Sequence, residues 1–253
     1  TASGLQIRGS SPDQNLVLFD GIKMYQSGHF FGLISSFNPY VTKKISLYRN
    51  GTNAKFGDRI GGVLDISSGD DVPTFEAGFG VNLTHADAYL KTPLFNNKAG
   101  LVFSARRSIT DLVETITYKN FSESVFQNTR ILDGRVNDPN RLSSVNNDFY
   151  FQDYNLKLIA ELSDKSKLSI SNLFNKNQLD FSSENLKFRE KIVDNITYQN
   201  KGTRFLWDYK TSNRFSQSID FHTSEYTFDY FGNRVETRNN PNDNRNRDFE
   251  IAN

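Results

Sequence analysis

The chain of 253 residues carries 30 Lys and Arg against 29 Asp and Glu, which gives a formal net charge of +1. This balance excludes the strongly basic composition of a nucleic-acid-binding domain, so we predict no nucleic-acid partner. The absence of cysteine excludes disulfides, thiolate zinc sites and thiol nucleophiles.

Membrane insertion by a helix is excluded, because the sequence has no run of about 18 apolar residues. A transmembrane β-strand needs only about 9–11 residues, of which every second one is apolar. An aromatic content of 13% and a mean hydropathy of -0.59 are compatible with such strands. The first residues lack the charged and apolar regions of a signal peptide, so we expect the chain to be a piece of a longer protein.

Short apolar runs separated by turn signals fill the first 70 residues. Residues 16–19 predict a buried strand, and Asp20-Gly21 directly after it predicts a turn, since both residues tolerate positive φ. Pro39 fixes its own φ, so we expect a short helix to begin there. Two further strands are predicted over 43–51 and 61–66.

Segments beyond residue 75 are longer and alternate between apolar and polar residues. This alternation predicts a sheet with one apolar and one polar face, the polar face carrying Asp153, Lys157 and Arg204. A soluble β-sandwich with its core on the apolar face and a membrane barrel with lipid on that face both fit the pattern. The apolar face is formed by Tyr150, Tyr154, Leu156, Leu158, Ala160 and Leu162, by Leu168, Ile170 and Phe174, and by Thr203, Phe205, Trp207 and Tyr209.

The lengths of the connections favour the barrel over the sandwich. Transmembrane barrels alternate short turns with longer loops at the opposite end, and aromatic girdles face the lipid at both interfaces. Short turns are predicted at 96–98, 163–166 and 211–214, and long polar loops at 108–148, 182–197 and 233–246. The residues predicted to form a girdle at the long-loop end are Tyr150, Phe151, Tyr154, Tyr226, Phe228 and Tyr230.

Three segments resemble the plug domain of TonB-dependent outer-membrane receptors: IRG at 7–9, LVLFDG at 16–21 and ISLYRNGTNAKFGDRIGGVLDI at 45–66. The last segment, with FNPYVTKK before it, is most similar to receptors of the Bacteroidota group. Two departures from the family pattern are Asn50, which precedes the glycine, and Phe56, which stands in place of tyrosine. The residues that carry the resemblance are Arg8, Gly9, Asp20, Gly21, Arg49, Gly51, Gly57, Gly61 and Gly62.

This resemblance implies a small α+β plug domain over residues 1–70. Residues 71–253 would then supply the first seven or eight strands of an antiparallel transmembrane β-barrel. Large barrels of this class have about 22 strands and a plugged lumen, so the barrel is expected to be incomplete in this chain. We expect Arg8, Arg49 and Arg59 to tie the plug to the barrel, or alternatively to form plain surface ion pairs.

The implied function is active, ligand-gated uptake across the cell outer membrane, which is transport and not an enzyme activity. The substrate class stays open among siderophores, corrinoids, oligosaccharides and peptides. The implied partners are the TonB–ExbB–ExbD energising complex, outer-membrane lipid and an unknown small ligand, with a surface lipoprotein as a further candidate. Two other functions remain open: a passive or assembly-related barrel that keeps the plug, and a soluble β-rich binding module.

Ligand contacts in this family come from plug loops and extracellular loops, which correspond here to residues 8–14, 23–31 and 108–148. The loop 23–31 offers aromatic, cationic and amide groups for stacking and hydrogen bonding. Alternatively, Phe30 and Phe31 pack in the plug core. The candidate ligand-facing residues are Lys23, Tyr25, Gln26 and His29.

Catalytic and metal-binding patterns are not found in the sequence. The three histidines lie far apart, so we predict no metal site and no cofactor. Residues 133–140 loosely resemble a calcium loop but lack the Gly and Glu spacing of an EF-hand. The carboxylates Asp70 and Asp71 are interpreted as part of a linker between plug and barrel.

Overall fold

The computed structural model describes residues 5–29, 32–49, 54–59, 61–110, 112–113, 115–118, 143–185, 190–237 and 244–252. These residues form a small N-terminal module and a large antiparallel sheet. No helix in the described ranges is long and apolar enough to cross a membrane.

The N-terminal module comprises the described residues from 5 to 67 and opens with a 3-10 helix, Pro12–Gln14. Its strands are β1 (Asn15–Phe19), β2 (Ile22–Met24), β3 (Gly28–His29), β4 (Ile34–Ser35), β5 (Lys44–Tyr48) and β6 (Gly62–Ser67). The main sheet has the order β2-β1-β6-β5, in which β1 runs antiparallel to β2 and parallel to β6. β3 and β4 form a separate short hairpin.

β1 is a central strand of the module and is buried over all five of its residues. Val17 and Phe19 pack into one apolar cluster, while Leu18 packs into another with Val63. The strand therefore buries apolar side chains on both of its faces, which explains why it reads as a continuous apolar run and not as an alternating one. The buried strand predicted over 16–19 is confirmed.

The short helix predicted at Pro39 is wrong, because the chain makes only a single turn there. The Asn38 side-chain oxygen accepts a hydrogen bond from the Tyr40 amide (2.9 Å), and the Asn38 carbonyl accepts one from the Thr42 amide (3.2 Å). These local bonds satisfy the backbone without a helix. The chain is extended again at Lys44, where β5 begins.

The large sheet is an antiparallel meander in which each strand pairs with its neighbour in sequence. Its eight strands are β7 (Glu76–Val81), β8 (His85–Leu94), β9 (Ala99–Ser108), β10 (Ser143–Ser163), β11 (Ser166–Asn185), β12 (Glu190–Lys210), β13 (Ser216–Thr237) and β14 (Asn244–Ala252). The two outer strands of the order, β7 and β14, do not pair with each other, so the sheet is open.

The two faces of the large sheet are inverted relative to a soluble sheet. The face towards the N-terminal module, here called the wall, buries polar side chains, and the opposite outer face exposes apolar ones such as Ile219 (54%) and Phe221 (65%). The period-two alternation is confirmed, but a sandwich with its core on the apolar face does not match this arrangement. The buried polar wall residues are Ser104, Arg106, Asp153, Asn155, Lys157, Ser171, Asn175, Asn177 and Asn200.

The connections alternate between the two ends of the sheet, but their lengths differ from the prediction. The turns after β8, β10 and β12 lie at one end and are short, as expected. The predicted long loop at 182–197 is largely strand, because β11 continues to Asn185 and β12 already begins at Glu190. The described residues of the other predicted loop, 233–237 and 244–246, belong to β13 and β14. Polar residues on both faces of a segment favour a loop in the sequence. In the structure, however, the backbones of β11 and β12 remain hydrogen-bonded to each other as far as Asn185 and Glu190.

Four of the six aromatics predicted to face lipid lie on the wall instead. Phe151 is buried against His29, and Tyr226 stacks on Tyr25 of the N-terminal module with ring centroids 5.6 Å apart. Phe228 and Tyr230 pack against the same interior aromatic cluster. Their register on the strands, and not only their position near a strand end, decides which face they occupy.

Candidate functional site at the interface between module and wall

Asp20 is the point where the end of β1 is fastened to the wall. Its buried carboxylate accepts hydrogen bonds from the Ser67 hydroxyl (3.1 Å) and from both the amide (3.0 Å) and hydroxyl (2.6 Å) of Ser68. The fourth donor is the ammonium of Lys157 on β10, at 2.9 Å. One carboxylate thus joins β1, the end of β6 and the wall.

Lys157 also reaches the segment that follows the module. Its ammonium lies 3.0 Å from Asp70, and the lysine side chain itself is almost completely buried. Burial favours the protonated form of Asp70, but the charge and hydrogen bond of Lys157 outweigh it and hold the pKa of that carboxyl below its ordinary value.

Gly21 allows Arg204 of β12 to lie directly on the turn after β1. The Arg204 guanidinium donates to the Asp20 carbonyl (3.1 Å) and forms a paired contact with Asp220 (2.8 and 2.7 Å). A Cβ on Gly21 would lie 2.5 Å from that guanidinium, and the residue has φ +77°. Glycine is therefore required here both for the backbone conformation and for the close approach.

β2 runs along the wall and hydrogen-bonds to side chains of β12 and β13. The Lys23 amide donates to Ser224 (3.0 Å), and the Tyr25 amide donates to the side-chain oxygen of Asn200 (3.1 Å). The Asn200 amide group in turn donates to the Gln26 carbonyl (3.1 Å). The wall side chains replace the neighbouring strand that this part of the module lacks.

His29 ends this series of contacts and is completely buried. Its Nδ1 lies 2.7 Å from the side-chain oxygen of Asn177, and its Nε2 lies 2.8 and 2.9 Å from the two carboxylate oxygens of Asp153. Arg106 donates to the same carboxylate (2.8 and 2.6 Å) and to the Ser35 carbonyl (2.6 Å). The hairpin of β3 and β4 is thereby held to the wall from both of its strands.

An aromatic surface continues along the wall beyond His29, towards the end that connects β9 to β10. Ile34 of the module packs against it. Tyr25 is 46% exposed, with the Lys23 ammonium 4.8 Å from its ring centre. The cluster consists of Tyr118, Phe149, Phe151, Leu179, Phe181, Ile196 and Tyr198, with Ile192, Tyr226, Phe228 and Tyr230 beside it.

The residues predicted to face a ligand have different environments. Tyr25 is accessible, Lys23 is in contact with Asp58, and the backbone of Gln26 is bound to the wall. His29 is held on both ring nitrogens and reaches no open surface. Phe30, Phe31, residues 133–140 and most of the loop 108–148 lie outside the described residues.

The glycines and arginines that carry the plug resemblance also differ from one another in their environments. Gly9 has φ +77°, and Gly61 and Gly62 pack closely against side chains of the module, whereas Gly57 has no atom near its Cβ position. Arg59 contacts Asp58 (3.2 Å) in its own loop, which is the surface ion pair foreseen as the alternative. Arg8 and Arg49 are exposed, and Gly51 lies outside the described residues.

The cations that bind the module, Lys157 and Arg204, belong to the wall, and the sequence does not predict this role for them. Lys157 and Arg204 had been placed on the polar face of alternating strands, as had Asp153. The available signal was a charged residue at a polar-face position within a strand whose other face is apolar. No group of three or more His, Asp or Glu side chains in the described regions is placed to hold a metal ion.

Residues 1–63 match the family model described as the TonB-dependent receptor plug domain. No curated protein sequence matches the chain. Among solved structures, it is similar to a mutant of the ferric enterobactin receptor (PfeA) from Pseudomonas aeruginosa, with 10% identity and a TM-score of 0.40. That match covers 91% of this chain, and the chain spans 42% of the length of the solved one. The expected fold class is confirmed: a small N-terminal module that matches the plug-domain model is followed by antiparallel strands, which form an open sheet.

Proposed function

We propose that this chain is the plug and the first barrel strands of a TonB-dependent outer-membrane receptor, which takes up a scarce ligand by energised, ligand-gated transport. The observation that carries the proposal is the inverted sheet, which places a plug-type module against a polar wall and leaves an apolar outer face exposed. Polar residues towards the interior and apolar ones towards lipid are what a transmembrane barrel requires.

The chemistry of the interface suits a plug that has to move. Its anchors are ion pairs and hydrogen bonds to Asp20, the Gln26 carbonyl and His29. When the plug is displaced, water can bind to the freed groups of the wall, whereas a purely apolar wall would expose unfavourable surface. Buried ion pairs also contribute little net stability compared with apolar packing, so such a contact is specific without being permanent.

Ligand binding is assigned to the accessible part of loop 23–29 together with the aromatic surface of the wall. Within that loop we propose Tyr25 and Lys23 as ligand-facing, while Gln26 and His29 hold the loop in place. An iron chelate, a corrinoid, an oligosaccharide and a peptide remain the candidate substrate classes. TonB–ExbB–ExbD would supply the energy, and a surface lipoprotein and a Bacteroidota origin are further parts of the proposal.

The test is to lock the module onto the wall. The chain has no cysteine, so the paired variant Tyr40→Cys and Tyr89→Cys can be bridged by a short thiol-reactive cross-linker, because these two rings of the module and of β8 stack with centroids 5.0 Å apart outside the proposed ligand site. Cross-linking should stop TonB-dependent uptake in cells, and a cleavable linker should restore it on reduction. The control bridges Tyr154→Cys to Phe174→Cys, a registered pair on the outer face, and should leave uptake unchanged.

Two outcomes would overturn the proposal. Uptake that continues with the module locked, or that does not require TonB, would favour the passive or assembly-related barrel. A protein that stays soluble without detergent would favour the soluble binding module.

A further inference from the structure

One acidic side chain lies within the aromatic surface of the wall. Asp194 of β12 is only 6% exposed, and its register neighbours on that face are Phe181 of β11 and Gly232 of β13. Ile192 and Ile196 precede and follow it on the same face of the strand, and both belong to the aromatic surface. The carboxylate is therefore surrounded largely by apolar and aromatic side chains.

The Asp194 carboxylate accepts a hydrogen bond from a neutral group, the Tyr230 hydroxyl of β13, at 2.7 Å. The two groups lie together over Gly232. A Cβ on that glycine would lie 2.5 Å from the hydroxyl and 3.0 Å from the carboxylate oxygen, so glycine leaves the space that the pair occupies. We call Asp194, Tyr230 and Phe181 together the Asp194 site.

An ionised carboxylate in such surroundings requires a positive partner. Buried charges in proteins are paired, because their removal from water is costly, and a carboxylate has room for about four hydrogen bonds. In the described part of the chain no cation contacts Asp194, and this includes Arg234, two positions beyond Gly232 on β13. The Asp194 site therefore favours a positive charge that comes from another molecule.

The Asp194 site stands beyond the apolar region of the outer face. At the same height the outer positions are the polar residues Asp180, Asn195, Thr197 and Asp229. On the wall face, Tyr226, Phe228 and Tyr230 are only partly buried. A solute that enters from the end that connects β9 to β10 therefore meets the rings around Asp194 without crossing lipid.

We propose that the Asp194 site binds the cationic group of the transported ligand, and that this ligand is a peptide with a basic side chain. The carboxylate would accept charge-assisted hydrogen bonds from a guanidinium or an ammonium, while the ring faces of Phe181 and Tyr230 attract the same cation. The remaining aromatic surface offers contacts to apolar side chains of the peptide. A neutral sugar or an anionic chelate would leave the carboxylate unpaired. This inference rests on the proposed function and selects one of its candidate substrate classes.

The experiment is a binding titration of the detergent-purified protein with two acetylated and amidated tripeptides, Phe-Arg-Phe and Phe-citrulline-Phe. Citrulline has the shape of arginine without its charge, so the comparison isolates the cation. We expect the arginine peptide to bind about tenfold more tightly, the effect of one charged hydrogen bond. Asp194→Asn should abolish this preference. Asp229→Asn, which removes a carboxylate at the same height on the exposed outer face, should keep it.

The variant Tyr230→Phe separates ligand binding from a purely structural role of Asp194. It removes the hydroxyl and keeps the ring, so the preference for the arginine peptide should persist. If Asp194 served only to hold Tyr230, Tyr230→Phe and Asp194→Asn would have the same effect on that preference, because both alter the same hydrogen bond. Asparagine still accepts this bond, so the Asp194→Asn protein is expected to fold.

Failure of this inference is distinguishable from failure of the proposed function. Equal affinity for the two peptides, binding of neither, or a preference that survives Asp194→Asn would overturn the Asp194 site alone when uptake in cells still requires TonB. Uptake that does not require TonB, or a protein that stays soluble without detergent, would overturn both proposals.

Discussion

Asp20 and Gly21 show how two adjacent residues meet several requirements together. Asp20 adopts φ 49°, which aspartate tolerates better than most residues, and its carboxylate gathers donors from the end of β6 and from β10. Gly21 leaves the space that Arg204 occupies. The pair forms a hairpin turn and also provides the surface that Lys157 and Arg204 of the wall contact.

Gly21→Ala should weaken the docking of the module. The added methyl group meets the Arg204 guanidinium and a positive φ, and we expect a cost of about 1–3 kcal/mol in the free energy of docking. The measurement is the urea concentration at which the module becomes sensitive to protease. Gly57→Ala is the matched control, since no atom lies within 4 Å of its Cβ position, and equal effects of the two changes would contradict this account.

Removal of Lys157 should be costly because it leaves the Asp20 carboxylate buried without its cation. Lys157→Met is expected to destabilise docking by about 3 kcal/mol in the same protease assay. Adding Asp20→Asn should recover most of this loss, because asparagine is neutral and can still accept hydrogen bonds from Ser68. Simple addition of the two single effects in the double variant would show that the residues are not coupled.

Among the elements of the fold, β2 and the hairpin of β3 and β4 form a strip that follows the wall, and its side chains divide between two tasks. Tyr25 is exposed and His29 is enclosed, although they are only four residues apart. The first can contact a ligand, while the second can only hold the strip in position.

Tyr25→Ala and His29→Ala should therefore have separable effects. For whichever substrate supports uptake, Tyr25→Ala should weaken binding about tenfold through loss of ring stacking, with the protease sensitivity of the module unchanged. His29→Ala should raise that sensitivity. A ligand affinity that depends on His29 alone would reverse the roles proposed for the two residues.

The outer face of β13 carries both apolar and polar positions. A lysine introduced at one or the other tests whether the apolar positions contact lipid. Phe221→Lys places a charge on the outer face in register with Ile170 and Phe205, where the cost of a lysine facing lipid is about 2–4 kcal/mol, so the yield of folded protein in the outer membrane should fall. Thr227→Lys lies on the same face of the same strand, in register with the polar residues Gln199 and Lys176, and should be tolerated. Equal yields of both variants would mean that the outer face does not contact lipid.

At the scale of the whole molecule, the sequence predicts the faces of the strands but not what covers them. Alternation alone placed Lys157 and Arg204 opposite the apolar residues, and the structure agrees. It could not show that Lys157 meets Asp20, because that pair is separated by 137 positions and alternation carries no information on which layers pack together. The inward-facing aromatics escape prediction for a related reason, because closeness to a strand end does not determine which face a side chain occupies, whereas register does.

The loop lengths were mispredicted for a different physical reason. Polar composition predicts a loop at 182–197, yet strands remain paired wherever a neighbouring backbone is available. In the N-terminal module, by contrast, Asp-Gly and the buried run before it suffice to predict the strand and its turn, because turn chemistry is local.

The arrangement of the wall contacts along the chain from Asp20 to His29 has a mechanical consequence. From Asp20 to His29 the anchors follow one another along the chain, so a force applied at the amino-terminal side loads them one after another instead of together. Such a strip peels at low force in successive small steps, whereas simultaneous loading would need one large force. Force spectroscopy on the protein reconstituted in a lipid bilayer should record several small ruptures. The first should become weaker in Lys157→Met without disappearing, because Arg204 still donates to the Asp20 carbonyl. One single large rupture would contradict serial loading.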